Sequence, residues 1–213
     1  MARGRFITFE GGEGSGKSTQ LPRLAARLKN HGVVVIETRE PGGTPAGEEI
    51  RRLLVEGERG RWEPISEALL HFAARRQHLV ETIWPALDRG DWVLSDRFAD
   101  STMAYQGYGH RLGREIVETL YRATVGPFHP DLTLIFDVPV ELGLARAGKR
   151  GGAETRYERM GADFHERVRD GLLEIARREP VRCRIIDATA PVEAVEAAVA
   201  AEVGRALEID LSS

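Results

Sequence analysis

The sequence is short of several things, and each shortage narrows the reading. A single cysteine, Cys183, leaves no partner for an internal disulfide and fits a reducing cytoplasm. No apolar run approaches the ~20 residues that a membrane-spanning helix needs. Positive charge is not in surplus, since 30 Lys and Arg face 33 Asp and Glu for a net charge of −3. With a pI near 6.1, a nucleic-acid binder running on bulk positive charge is not expected. Any polyanion site must gather its arginines locally. Met1-Ala2-Arg3-Gly4-Arg5 enters an apolar run directly, so no signal peptide is expected. Internal repeats and low-complexity tracts are also lacking.

What is present is organised around Phe9-Glu10-Gly11-Gly12-Glu13-Gly14-Ser15-Gly16-Lys17-Ser18-Thr19. Gly11, four residues, then Gly16-Lys17-Ser18 fit the G-x4-G-K-[ST] phosphate-loop spacing. An apolar run, Phe6 to Phe9, precedes it as a strand, and Leu21, Leu24, Ala25 and Leu28 follow on one helix face. Glycines free the backbone to aim successive N–H groups into one concavity, and the helix start adds its own unpaired N–H groups. Residues 11–19 are therefore expected to hold a nucleoside triphosphate, with Lys17 at the β- and γ-phosphates and the Ser18 hydroxyl on Mg²⁺.

The rest of the chain alternates. Strands are expected at Val33–Ile36, Trp92–Ser95, Leu132–Asp137 and Arg184–Asp187. Helices are expected from Ala46 to Glu56, from Pro64 to Leu87 with a bend near Pro85, from Arg114 to Val125, and from about Val140. Two more carry Phe164, Val168, Leu172 and Ile175, and Val192, Val195, Val199 and Val203. Such alternation predicts an α/β fold of the P-loop NTPase kind. With 213 residues and no break in composition, one domain over 1–213 is expected. An N-K-x-D segment and a strand ending in Asp-Glu are absent, which speaks against a regulatory GTPase and a nucleic-acid motor.

The ordered motifs resemble thymidylate kinases of the bacterial type. The resemblance rests on the phosphate loop with Glu10, on Arg39-Glu40-Pro41-Gly42-Gly43-Thr44, and on Asp96-Arg97-Phe98 with Ser101 and Ala104-Tyr105-Gln106-Gly107. Phe136-Asp137-Val138-Pro139, the arginine-rich segment near Arg150, and Ile186-Asp187-Ala188-Thr189 extend it over nearly the whole chain. It implies a five-stranded parallel sheet with helices on both faces and a short mobile lid at about 143–158. It also implies Mg²⁺- and ATP-dependent phosphorylation of dTMP to dTDP in a cytoplasmic homodimer, with no nucleic-acid or membrane partner.

Site residues follow from the same resemblance. Arg97 grips the acceptor phosphate, with Arg39 and Arg51 as further acceptor-side arginines, and Glu10 lies near the acceptor's 3′-hydroxyl. Asp96 holds Mg²⁺ through water, together with Ser18. Arg75 reads a ring carbonyl of the base, Ser101, Tyr105 and Gln106 complete the acceptor contacts, and either Phe72 or His71 stacks on the ring. Gly14 stands where eukaryotic members carry an arginine, so the lid is expected to supply the catalytic arginine, Arg150 first and Arg146 second.

Overall fold

The computed structural model describes residues 3–58, 60–149 and 156–211. Strands β1 (Phe6–Gly11), β2 (Val35–Arg39), β3 (Trp92–Asp96), β4 (Leu132–Asp137) and β5 (Cys183–Asp187) form one sheet in the order β2-β3-β1-β4-β5. Every neighbouring pair is parallel. The register sets Phe9 beside Asp96 and Arg39 beside that same Asp96. The carboxyl ends of β1, β2 and β3 thus open into one crevice, where the chain reverses its direction of winding.

Both faces of β1 are buried, which its apolar run requires. Phe6 belongs to a core shared with Phe72, Val117, Phe164 and Val168. Ile7 and Phe9 belong to the opposite core, with Leu21, Leu24 and Leu28 and with Val195, Val199 and Val203. The second set lies on α1 (Lys17–Asn30) and α9 (Val192–Leu207), which cover that face. The first lies on α3 (Pro64–His78), α6 (Arg114–Thr124) and α8 (Ala162–Arg178). Full burial of each large side chain is worth about 1.5–3 kcal/mol, so the loop-bearing strand is the best-anchored part of the sheet.

Three local features differ from expectation. Strand β2 starts two residues late because it is an edge strand, and Val34 is left 62% exposed. The helix expected over Pro64–Leu87 is broken: α3 gives way to a π-helical turn at Leu79–Ile83 and then to α4 (Trp84–Asp88). Pro85 lies in the first turn of α4, where its missing N–H and its ring are tolerated. A second π-helical turn, Met103–Gly109, follows α5 (Ala99–Thr102) and carries Tyr105 and Gln106. Of the expected lid, residues 143–148 complete α7 (Val140–Gly148), while 150–155 lie outside the described residues.

Candidate active site

The phosphate loop joins β1 to α1. Gly14 and Gly16 take φ of +65° and +91°, a region that favours glycine. Gly14 also has no room for a side chain, because a Cβ there would lie 2.0 Å from the Gly143 carbonyl of α7. Lys17 opens α1 and bends back over the loop, donating to the Gly11 and Gly12 carbonyls and to Ser15 Oγ at 3.0–3.1 Å. Burial, and then the nearby Arg97 charge, lower its pKa to about 8.

Arg97 directly follows β3 at φ +70°, an uncommon conformation for a branched-fork side chain. It donates to the Gly11 carbonyl at 2.8 Å, to Ser101 Oγ at 3.1 Å and to Glu13 Oε1 at 3.0 Å. Tyr105 donates its hydroxyl to the same Glu13 oxygen at 2.8 Å. Burial would push the Glu13 carboxyl up, but Arg97 and Lys17 hold it below its usual range. Glu10 lies fully buried behind this pair and accepts from the Phe98 N–H at 2.7 Å and from Ser101 Oγ. Burial first, and Asp100 next, push its pKa up to about 7.

A cleft of about 630 Å³ opens between the loop and α3. It brings together Arg51, Arg75, Arg97, Ser101, Tyr105 and Gln106 from the expected acceptor set. Arg75 is 1% exposed, donating to Glu40 at 2.7 Å, to the Phe98 carbonyl at 3.0 Å and to Thr102 Oγ1 at 2.9 Å. Its Nη1 and the Oε1 of Gln106 have no hydrogen-bond partner among the described residues. Two buried polar atoms on the lining are thus left for a ligand.

Not every expected acceptor residue lines the cleft. Of the two stacking candidates, Phe72 has its ring in the core, 4.9 Å from the Arg75 guanidinium, and His71 is the one on the cleft lining. Arg39 is exposed and paired with Glu48 at 2.9 Å, outside the lining, and Glu10 is behind it. Arg51 donates to the Pro41 carbonyl at 2.8 Å. Burial lowers the His71 pKa to about 4, so its ring is neutral at ordinary pH and suited to packing.

Several residues of the site had no role in the sequence reading. Glu40 is buried between Arg75 and His78, 2.7 and 3.0 Å away. Glu67 accepts from Gln106 Nε2 at 2.7 Å, from the Tyr157 hydroxyl at 2.9 Å, and from Arg156. Arg156 and Tyr157 thereby fix the far end of the expected lid against α3. Glu40 was visible inside the Arg39–Thr44 motif. Glu67 had no local signal.

A second cleft, of about 1050 Å³, lies on the other side of the loop against Gly14, Ser15, Ser18, Thr19, Arg146 and Thr189. Arg146 donates to the Ala188 carbonyl at 2.8 Å. Arg150 lies outside the described residues. Asp96 Oδ1, at the end of β3, is buried without a hydrogen-bond partner among the described residues. An orphaned carboxylate oxygen beside a phosphate loop fits a hydrated Mg²⁺, which takes hard oxygen ligands.

A parallel sheet whose central strand feeds a glycine loop and a lysine-headed helix defines a P-loop nucleoside-triphosphate-binding protein. The thymidylate kinase profile matches residues 9–199. The chain is 57% identical to the thymidylate kinase of Caulobacter vibrioides, over 93% of this chain and 95% of that one. It is 53% identical to that of Alkalilimnicola ehrlichii, over 92% and 90%. A crystal structure of thymidylate kinase from Ehrlichia chaffeensis superposes with a TM-score of 0.75 at 36% identity, covering 94% of this chain and 99% of the other. This chain belongs to the thymidylate kinase family.

Proposed function

We propose that this protein is one kinase domain that transfers the γ-phosphoryl group of ATP to dTMP, giving dTDP and ADP. The observation that carries the reading is the position of the loop between two clefts, Glu13 lining one and Gly14 the other. Two anions held there meet head to head at Lys17 and Arg97. A dTMP phosphate oxygen attacks the γ-phosphorus, the bond from that phosphorus to the bridging oxygen breaks, and ADP leaves. The acceptor is already anionic, so no strong general base is needed. Catalysis is positioning and charge stabilisation.

Each residue has a role in that scheme. Loop N–H groups and Lys17 cradle the ATP phosphates. Arg97 exchanges its Glu13 bond for the acceptor phosphate, and Arg51 supports it from the cleft wall. Arg75 and Gln106 read the base edge, with His71 against the ring. Arg150, then Arg146, supplies positive charge to the transferred group, and closing of the lid excludes water. Mg²⁺ held by Ser18 and Asp96 would neutralise charge on the β- and γ-phosphates.

We further propose a cytoplasmic homodimer. Leu53, Ile65, Leu69 and Val80 are 39–50% exposed on and after the packed pair α2 (Pro45–Val55) and α3, an apolar set that a second copy would cover. No described helix is long and apolar enough to cross a membrane. ADP release with ATP and Mg²⁺ against dTMP, dUMP, dCMP, dGMP and AMP tests the activity. Preference for any acceptor but dTMP overturns it.

A further inference from the structure

Gln106 is fully buried, and its amide can be satisfied in two ways that present opposite chemistry to the cleft. With its NH₂ turned inward, the cleft meets a carbonyl acceptor. With its oxygen turned inward, the cleft meets donors. Glu67 decides between them. Its carboxylate is 1% exposed, and its Oε1 lies 2.7 Å from Gln106 Nε2. An ionised carboxylate only accepts, so the Gln106 NH₂ must face it. Burial works against that charge, but His110, 3.4 Å from Oε1, and the Arg156 guanidinium hold the Glu67 pKa down to about 2. The carboxylate is therefore ionised at neutral pH.

The other contacts of Glu67 leave it no alternative orientation. Tyr157 donates to Oε1 at 2.9 Å, and Arg156 donates to Oε2. Arg156 is itself 2% exposed and donates to the Leu54 carbonyl at 2.6 Å. The carboxylate is thus held from the segment after residue 155, whose Arg156 is itself anchored on α2. What remains is Gln106 Oε1, an acceptor, and Arg75 Nη1, a donor, on two residues that line the same cleft, both without partners among the described residues.

We propose that Glu67 is a positioning residue for base specificity, acting through Gln106 to present an acceptor beside the Arg75 donor. That pair matches an imide edge, in which a ring N–H adjoins a C=O, as in thymine and uracil. It mismatches cytosine, whose ring nitrogen accepts and whose adjacent amino group donates. The proposal rests on the dTMP kinase reading and assigns the origin of its preference to a carboxylate that touches no substrate.

The test compares kcat/KM for dTMP, dUMP and dCMP in wild type, Glu67→Gln, Glu67→Asp and Gln106→Ala. A glutamine at 67 can turn either end to Gln106, and an aspartate draws the carboxylate back by one methylene. The dTMP-to-dCMP ratio is expected to fall roughly tenfold in all three variants, the scale of one mismatched buried hydrogen bond. The dTMP-to-dUMP ratio is expected to stay put, because the two bases share the imide edge. In a Gln106→Ala background, Glu67→Gln should lower the dCMP discrimination no further. A purely structural Glu67 would depress all acceptors alike and leave both ratios unchanged, which overturns the proposal. Gln106→Ala leaves the Arg156 pair intact, so an unchanged ratio there overturns it even if the Glu67 variants do not fold. A wild type that prefers another acceptor sinks the dTMP reading instead.

Discussion

Arg97 and Glu13 meet at 3.0 Å across the mouth of the phosphate loop, and Tyr105 donates to the same carboxylate oxygen. On the proposed function, the pair holds the place of the acceptor phosphate. The fork of Arg97 spans the Gly11 carbonyl, Ser101 and Glu13 at once, and an incoming acceptor phosphate can take over the outer arm. A lysine carries all its donors on one nitrogen and lacks the planar fork that reaches acceptors set apart. Arg97→Lys is expected to lower kcat/KM for dTMP by roughly 100-fold, the scale of a lost charged hydrogen bond. Steady-state kinetics with dTMP varied at saturating ATP measure it. A change within threefold would show that Arg97 does not hold the acceptor.

Glu10 makes stability depend on pH. Its pKa rises from 4.5 to about 7, first through burial and then through Asp100. The unfolded chain therefore releases this proton at lower pH than the folded one. Between pH 4.5 and about 7 the folded state binds more protons, so the group's contribution falls as pH rises and levels off above 7. Over the full window the loss is on the order of a few kcal/mol. Glu10→Gln removes the ionisation while keeping a hydrogen-bonding head. The stability difference, variant minus wild type, should rise between pH 5 and pH 8 in denaturant titrations. A difference independent of pH would contradict the raised pKa.

What the sequence disclosed depended on how local the determining interactions were. The phosphate loop was readable because its requirements, glycine freedom and a helix-opening lysine, lie within a few residues. Strand β1 was readable because both of its faces are buried. Strand β2 was displaced because its burial is one-sided, which depends on its place at the sheet edge. Base-side residues needed three dimensions. Adjacent residues Phe72 and His71 face different environments, one the core and one the cleft, and both stand on the regular helix α3, where neighbouring positions point different ways. Glu67 gathers Gln106 and Tyr157 from 39 and 90 residues away. No periodicity records that.

The two lid-side arginines should separate kinetically. Arg146 already donates to the Ala188 carbonyl and lines the cleft beside Ser18 and Thr19. Its loss should raise the KM for ATP as well as lower kcat. Arg150→Ala is expected to lower kcat by roughly 100-fold or more while the dTMP dissociation constant, measured by calorimetry without ATP, stays within twofold. Wild-type kcat in Arg150→Ala would take Arg150 out of the chemistry and leave Arg146 as the lid arginine that completes the site.

Gly14 and Gly143 let the phosphate loop and α7 touch backbone to backbone. A Cβ at 14 would lie 2.0 Å from the Gly143 carbonyl, and one at 143 would lie 2.5 Å from the Glu13 carbonyl. An arginine at position 14 is thus excluded by packing as well as by the +65° φ of that residue. Gly12 is the control, since a Cβ there meets nothing within 4 Å. Gly14→Ala should cost at least ~1–2 kcal/mol in backbone strain, before any displacement of α7. That corresponds to a Tm lower by roughly 4 °C or more, with Gly12→Ala close to wild type. Gly14→Arg should likewise fail to restore activity to Arg150→Ala, because the helix against the loop must move to admit any side chain. Rescue by Gly14→Arg, or equal Tm values for the two alanine variants, would show that the loop and α7 are free to separate.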